Sequence, residues 1–465
     1  MLQLLTTPLI LPLPTPFIQQ MRALPGFDFD KFEAALRQPP PVSIRLNPKK
    51  ISNGPLPEHW ESDPVLWHPW GRYLPERPIF TLDPLLHAGG YYVQEAASMF
   101  LYEAIRQSTD MDKKLRVLDL CAAPGGKSTL LASIISSESL LVSNEVIRAR
   151  TAPLRENMER WGHPNVAITS AEPEEFAKME GFFEVIVADA PCSGEGLFRK
   201  DPNAMLEWSP AHVEFCAARQ KKILASVVAA LAPGGILVFS TCTYNSMENE
   251  ENVQWMKEAF DLDIVRLTLP EAWGIVAAPG GGYHFFPHCV RGEGFFIVVL
   301  QKKSGETNKW ALPGAFRSIK NLSKAQVPDA QQWLQQGVDA RFFQTPSGEI
   351  LALPKNLEDD YLLLDKTLKT KWFGVNIGEF KGKDFIPSHA LALSLWANAE
   401  LPAVELSLEA CVSYLRKENF EIPNDTPRGW ALVRYAGLNL GWMKVLLNRV
   451  NNYLPNERRI LMRKG

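Results

Sequence analysis

The sequence predicts an α/β protein: a Rossmann-like sheet, with a small α+β segment before it and a β-rich module after it. Three observations carry that expectation. Between residues 115 and 300, apolar strand-like runs alternate with helix-like stretches, the pattern of a largely parallel sheet. The first unit, Arg116–Ile135 (RVLDLCAAPGGKSTLLASII), reads as strand, glycine-rich turn and helix, the opening of a nucleotide or cofactor site. Near the C-terminus, Gly429–Tyr435 alternates apolar and polar residues before a turn at Ala436-Gly437-Leu438-Asn439, a hairpin signature.

Taken in order, Phe17–Leu24 and Phe29–Leu36 have helical spacing and stop at Pro39-Pro40-Pro41. Val42–Asn47 alternates as a strand, and the Pro- and Trp-rich stretch to about residue 80 completes an N-terminal α+β segment over 1–90. The opening MLQLLTTPLILPLP is apolar but lacks a basic n-region and a clear cleavage site. It reads as a frayed extension rather than a signal peptide. The main domain is expected over 91–305. After Tyr91–Glu95 and a helix through Ala96–Ile105, its strands are Val117–Leu120, Leu140–Glu145, Val166–Thr169, Val185–Ala188, Ile236–Ser240 and Gly294–Leu300. One helix covers Ile147–Trp161. Another opens at Ser209-Pro210, an N-cap followed by proline at the first helical position, and is expected to end at Pro233-Gly234-Gly235. Lys302–Lys309 reads as a polar linker, 306–390 as a middle or linker domain of little legible pattern, and 391–465 as the β-rich module. Its last 22 residues hold six basic side chains (Lys444, Arg449, Arg458, Arg459, Arg463, Lys464) against Glu457 alone.

At 465 residues the chain exceeds one compact core. With 46% hydrophobic and 22% charged residues it has the composition of an ordinary soluble protein. The net charge of −3 does not advertise nucleic-acid binding, although a local basic face is averaged away in that figure. Six cysteines without a CxxC pair speak against a zinc knuckle; no metal is expected, and free thiols suit a reducing cytoplasm. No apolar run reaches the roughly 18 residues of a membrane span. A cytoplasmic monomer is the expectation.

The glycine-rich turn fits neither of two familiar templates. A P-loop needs glycine where Cys121 stands, and a dinucleotide fingerprint needs three glycines where Gly125 and Gly126 are alone. It fits an S-adenosylmethionine (AdoMet) loop, where a strand-end acid and backbone amides hold the methionine moiety. In an open α/β sheet the crevice lies beyond the carboxyl ends of the strands. Asp119 falls there, as do Glu145, Asp189 with Cys192, and Cys242. Glu145, ending the second strand, is placed to accept from both ribose hydroxyls. Asp119 could simply cap the turn, and a lone cysteine after a strand is more often a small buried hydrophobe. Two of them, in Pro191-Cys192-Ser193-Gly194 and Ser240-Thr241-Cys242-Thr243, resist that reading, whereas Cys121, Cys216 and Cys411 read as structural. Two thiols beside a methyl donor suggest cytosine C5 chemistry. A thiolate adding to C6 turns the ring into an enamine that attacks the methyl sulfonium. An acid near N3 assists, and Asp189 is placed for that. A base must then remove the C5 proton. Position alone leaves open which thiol attacks.

Four motifs carry a resemblance: Tyr92-Val93-Gln94-Glu95-Ala96, Asp119-Leu120-Cys121-Ala122-Ala123-Pro124-Gly125-Gly126-Lys127, Asp189-Ala190-Pro191-Cys192-Ser193-Gly194-Glu195-Gly196, and Ser240-Thr241-Cys242-Thr243 with Glu248-Asn249-Glu250 behind it. Over nearly the whole chain the sequence resembles the Sun/Fmu family of RNA (cytosine-5) methyltransferases, in its ribosomal methyltransferase F (RsmF/YebU) type. The resemblance implies AdoMet binding by Cys121, Ala122, Ala123, Pro124, Gly125, Gly126 and Lys127, with Glu145, Glu172 and Asp189. It makes Cys242 the nucleophile and Cys192 the residue that helps release product. It also implies a ferredoxin-like N-terminal segment and a PUA-like RNA-binding domain at the C-terminus. Phe198-Arg199-Lys200-Asp201-Pro202 looks like the F-type extension of the third of these motifs. Three positions depart from the family: Glu172 stands for an adenine-side Asp, His284 for an Arg ahead of Pro287-His288, and Glu145 for the commoner Asp. The expected function is AdoMet-dependent cytosine-C5 methylation of RNA, 16S rRNA or the small ribosomal subunit first. A tRNA enzyme of the same chemistry and a non-catalytic RNA-binding assembly factor are the alternatives. Intact Cys192, Cys242, Asp189 and Lys127 speak against the last.

Overall fold

The computed structural model describes residues 12–51, 62–305, 310–368 and 371–462. Residues 1–11 of the apolar N-terminal stretch, 306–309 of the polar linker, and Arg463 and Lys464 of the basic tail lie outside the described residues.

Five parallel strands form the centre: β1 Arg116–Asp119, β2 Leu140–Asn144, β3 Val166–Thr169, β4 Phe183–Asp189 and β5 Leu231–Thr241. Their order is β3-β2-β1-β4-β5, so the direction of winding reverses between β1 and β4 and opens a crevice at their carboxyl ends. Phe295–Lys302 lies antiparallel beside β5, and Tyr283–Phe285 and Val276–Ala277 continue that edge. The strands are apolar at successive positions because both faces are covered. Leu118, Val142, Ile186 and Leu237 enter one core, and their neighbours Val117, Leu141, Val185 and Val238 enter the other.

Three helices follow the expected pattern: Gly126–Ile134, Arg148–Trp161 and Pro210–Val227. Ser209 caps the last, its hydroxyl accepting from the His212 N–H at 3.1 Å. That helix does not run to Pro233-Gly234-Gly235, as the sequence predicts. It stops at Val227, and a 3-10 turn leads into β5, which already contains the Pro-Gly-Gly triplet as an irregularity in its register against β4. Gly235 is needed there, since a Cβ would sit 2.9 Å from two carbonyl oxygens, of Ala232 and Glu184.

The N-terminal segment places helices Thr15–Arg22 and Phe29–Leu36 ahead of a small antiparallel sheet of Asp63–Pro64, Gly71–Leu74, Val42–Leu46 and Tyr91–Val93, in that order. Residues 310–390, illegible in the sequence, hold a five-stranded antiparallel sheet and the helix Glu358–Thr367. Phe343, Leu351, Tyr361 and Phe373 from this region share a core with β1 and β4. Lys371–Phe373 pairs antiparallel with β3 and forms the outer edge of the central sheet. In the C-terminal module, Gly429–Tyr435 and Leu438–Val445 form the expected hairpin, flanked by Ala403–Glu405 and Val450–Asn452. Among the described residues no helix is long and apolar enough to cross a membrane.

Candidate active site

The crevice is built first by the glycine-rich loop. Gly125 adopts φ +116° at the N-cap of Gly126–Ile134, a conformation that favours glycine. Ala122, Ala123, Pro124, Gly126 and Lys127 line an open pocket together with Cys121 and Asp189, and Tyr92–Glu95 with Ser98 form the facing wall. Lys127 Nζ lies 2.7 Å from Asp189 Oδ2, and the Ser240 hydroxyl donates to Asp189 Oδ1 at 2.7 Å. Below the loop, Asp119 is fully buried and its Oδ2 accepts from the Ser128 hydroxyl at 2.6 Å, while Oδ1 has no partner. Burial pushes its carboxyl up to about 7, against the opposing pull of Ser128. The polar Lys127–Asp189 pair and the unsatisfied buried oxygen beneath the loop both fit a zwitterionic ligand such as AdoMet.

The two expected thiols meet. Asp189 and Ser240 are register partners at the ends of β4 and β5, and the chain beyond each brings Cys192 Sγ to 3.1 Å from Cys242 Sγ. The Cys242 N–H donates to Cys192 Sγ at 3.3 Å. The hydrogen bond between the thiols, and then burial, hold the Cys192 thiol well above the ordinary cysteine range.

Two buried glutamates hold the loops in this geometry. Glu248 accepts from the Ser193 N–H at 2.9 Å, the Ser193 hydroxyl, Gln220 Nε2 at 3.0 Å and Asn245 Nδ2 at 2.7 Å. Glu195, fully buried, accepts from the Thr243 hydroxyl at 2.6 Å and the N–H groups of Tyr244 and Asn245 at 2.8 and 3.0 Å. Its other oxygen takes Trp208 Nε1 and Gln20 Nε2, the latter from the first N-terminal helix. Each carboxylate therefore ties the Cys192 loop to the Cys242 loop. Gly196 donates its N–H to the Cys242 carbonyl at 2.8 Å and lies against Gly294, where a Cβ on Gly196 would sit 2.5 Å from the carbonyl oxygen.

Other expected residues lie elsewhere. Glu145 is buried directly after β2, with Oε1 accepting the Ile147 N–H at 2.9 Å and Oε2 3.4 Å from Arg150 Nη1. Arg150 Nη2 donates in turn to the Ala123 carbonyl at 2.7 Å, joining Glu145 to the loop. Glu172 is exposed at the start of the short helix Pro173–Phe176, its N–H donating to Glu175 Oε1 at 3.2 Å. Neither Glu145 nor Glu172 lines the pocket of the loop. His284 is buried, with Nε2 2.6 Å from Glu250 Oε1 and its ring stacked 5.1 Å from Phe286. Cys216 and Cys411 are buried, and burial raises the Cys121 thiol far above its ordinary range. Among the described residues no cluster of His, Cys, Asp and Glu could hold a metal ion.

Comparison with known proteins is specific. Residues 107–301 match the family model for 16S rRNA methyltransferase RsmB/F, residues 13–96 the N-terminal domain of 16S rRNA methyltransferase RsmF, and residues 401–460 the methyltransferase RsmF PUA domain. Ribosomal RNA small subunit methyltransferase F of Aeromonas salmonicida (strain A449) is 31% identical over 467 residues, spanning 96% of this chain and 97% of the relative. That of Salmonella heidelberg (strain SL476) is 32% identical, spanning 97% of both. The chain belongs to the RsmB/F family of 16S rRNA methyltransferases. Its N-terminal and PUA matches make it RsmF-type. Among solved structures, a methyltransferase homologue from Pyrococcus horikoshii is 26% identical with a TM-score of 0.52 over 62% of this chain and 94% of that one. NSun6 from Pyrococcus horikoshii, solved with SFG, shares the fold at 20% identity, with a TM-score of 0.54 over 63% and 99% of the two chains.

Within this RsmF-type methyltransferase, Glu195 and Glu248 stand in the sequence motifs, but the motifs alone assign them no task. The available signal is two acids set among Ser, Thr, Asn and Gly beside both thiols, a surrounding rich in donors and poor in cations. Arg45, Gln94 and Gln20 give less, because their partners lie far along the chain.

Proposed function

We propose that this protein transfers a methyl group from AdoMet to C5 of a cytosine in 16S rRNA, through a covalent bond between Cys242 and C6. The approach of Cys192 and Cys242 to 3.1 Å at the ends of β4 and β5, beside the Asp189–Lys127 pair, is the observation that supports it. AdoMet, when bound, supplies an electrophilic methyl group. Cys121–Lys127 and the facing Tyr92–Glu95 wall are the residues proposed to hold it, with Asp189 in the same pocket and Glu145 and Glu172, which lie outside that pocket, as further contacts. Cys242, as thiolate, adds to C6, and Asp189 hydrogen-bonds or protonates N3 so that the added electron pair settles on C5. C5 then takes the methyl group. Cys192 is suited to the second half of the reaction. While Cys242 is a free neighbour, Cys192 holds its proton and donates to the thiolate. Once Cys242 is bonded to C6, that interaction ends, and Cys192 is free to act as, or through, the base that removes the C5 proton. Loss of that proton, with any proton on N3 returned to Asp189, restores the C5–C6 double bond and expels the Cys242 thiolate. Residues from about 391 onward are proposed to bind the RNA.

The test separates the thiols. Cys242→Ala is expected to abolish turnover and to form no adduct. Cys192→Ala should add and methylate but fail to eliminate, so a protein–RNA species accumulates on a denaturing gel when AdoMet is present. Adduct formation by Cys242→Ala but not Cys192→Ala would reverse the roles, and full methylation by both would end the thiol mechanism.

A further inference from the structure

Among the described residues Arg45 is the largest fully buried charged side chain, and no carboxylate pairs with it. It sits in the N-terminal strand Val42–Leu46, opposite Tyr92, and its guanidinium crosses into the methyltransferase domain. Nη2 donates to the Thr129 hydroxyl at 2.6 Å and to the Gly126 carbonyl at 3.3 Å, and Nη1 to the Thr129 carbonyl at 3.5 Å. Nε donates to Gln94 Oε1 at 2.8 Å, and the plane lies 4.6 Å from the ring centroid of Trp161. The acceptors belong to the two halves of the pocket: Gly126 and Thr129 to the helix that the loop opens, Gln94 to the opposite wall. The Thr129 hydroxyl in turn donates to the Gly125 carbonyl at 2.7 Å, at the turn itself.

A buried guanidinium without an anion is costly to keep. What the fork provides is reach, since one rigid planar group meets several acceptors at fixed angles. We infer that Arg45 is a positioning residue of the cofactor site, through which the N-terminal domain sets the width of the pocket between the glycine-rich loop and the Tyr92–Glu95 wall. Arg45 does not itself line the pocket. It acts by holding the first turn of Gly126–Ile134 and Gln94 to a common point. This inference rests on the AdoMet reading of that pocket.

Calorimetry with AdoMet on the full chain tests it. Wild-type protein that binds no AdoMet would remove the cofactor reading itself, whatever Arg45 does. With wild-type binding established, Arg45→Met is expected to weaken AdoMet at least tenfold and to leave RNA affinity within about threefold. Arg45→Lys should not restore AdoMet binding, because a point charge cannot meet the same acceptors. Hydrogen exchange in the absence of cofactor gives a second readout, with the amides of 125–131 exchanging at least tenfold faster in Arg45→Met. Thr129→Val, which deletes the 2.6 Å acceptor and keeps the side-chain shape, covers the case in which Arg45 variants fail to fold; it should weaken AdoMet several-fold. AdoMet affinity unchanged within twofold in folded Arg45→Met, or in Thr129→Val, would overturn the inference. So would full rescue by Arg45→Lys.

Discussion

Asp119 is where a single residue ties the stability of the protein to pH. Its carboxyl is raised to about 7 from 3.8 by burial, so between those values the folded chain keeps a proton that the unfolded chain releases. The stability it contributes is therefore complete below about pH 4 and is lost as pH rises through about 7. Thermal unfolding measured across this window should show that loss, and Asp119→Asn should flatten it; a slope unchanged in the variant would place the proton elsewhere. The reason the sequence exposes the thiols but not their supports lies at this scale too. Cys192 and Cys242 are chemically distinctive residues next to strand ends, and strand ends are readable from local patterning. Glu195 and Glu248 work largely by accepting N–H and O–H groups from distant parts of the chain, 55 positions away for Ser193, 49 for Tyr244 and 175 for Gln20, and no local pattern marks an acceptor for a distant donor. Asp119 is readable as a strand-end acid, but the loss of its hydration is not, since that depends on what the fold stacks above it.

Elements are legible where turn chemistry and periodicity agree. The C-terminal hairpin is the clear case. Ala436 and Gly437 at its turn both take positive φ, 48° and 76°, which matches the right-handed twist of the flanking strands. Glycine suits that conformation and alanine does not. Ala436→Gly is accordingly expected to stabilise the protein by up to about 1 kcal/mol, read from the denaturation midpoint, and a loss of stability would show that the Ala436 methyl makes a compensating contact. Pro233-Gly234-Gly235 shows where the same cues fail. A Pro-Gly-Gly triplet after an apolar stripe signals a helix stop, yet here it bends a strand, because β4 continues to pair on both sides of it. The middle region is illegible for a different reason. Its strands are short and part of their apolar side chains complete the core of another domain, so their spacing does not follow one face of one sheet.

At the scale of the whole molecule, the basic tail divides in two. Arg458 is committed within the chain, its guanidinium lying 2.6 Å from Glu156 and 2.9 Å from Glu159 on helix Arg148–Trp161. Arg449 and Arg459 are exposed. Arg449→Glu with Arg459→Glu should lower RNA affinity and reduce the slope of log K against log salt by about 0.7–0.9 for each phosphate these side chains neutralise, with AdoMet affinity unchanged; a salt slope equal to wild type would take these arginines off the RNA surface. Deleting residues from 391 onward is a blunter experiment, since it also removes Arg458 and the Leu395 N–H that donates to the Gly162 carbonyl at 2.9 Å. The edge strand Lys371–Phe373 raises a matter of timing during synthesis. β3 ends at Thr169, and the strand that covers its open side ends at Phe373, about 200 residues later. At roughly 5–20 residues per second, the nascent chain spends on the order of 10–40 s with the outer rim of its main sheet exposed. An apolar, unpaired rim is a template for pairing with another chain, so for that interval the growing polypeptide is at its most open to aggregation and to capture by chaperones.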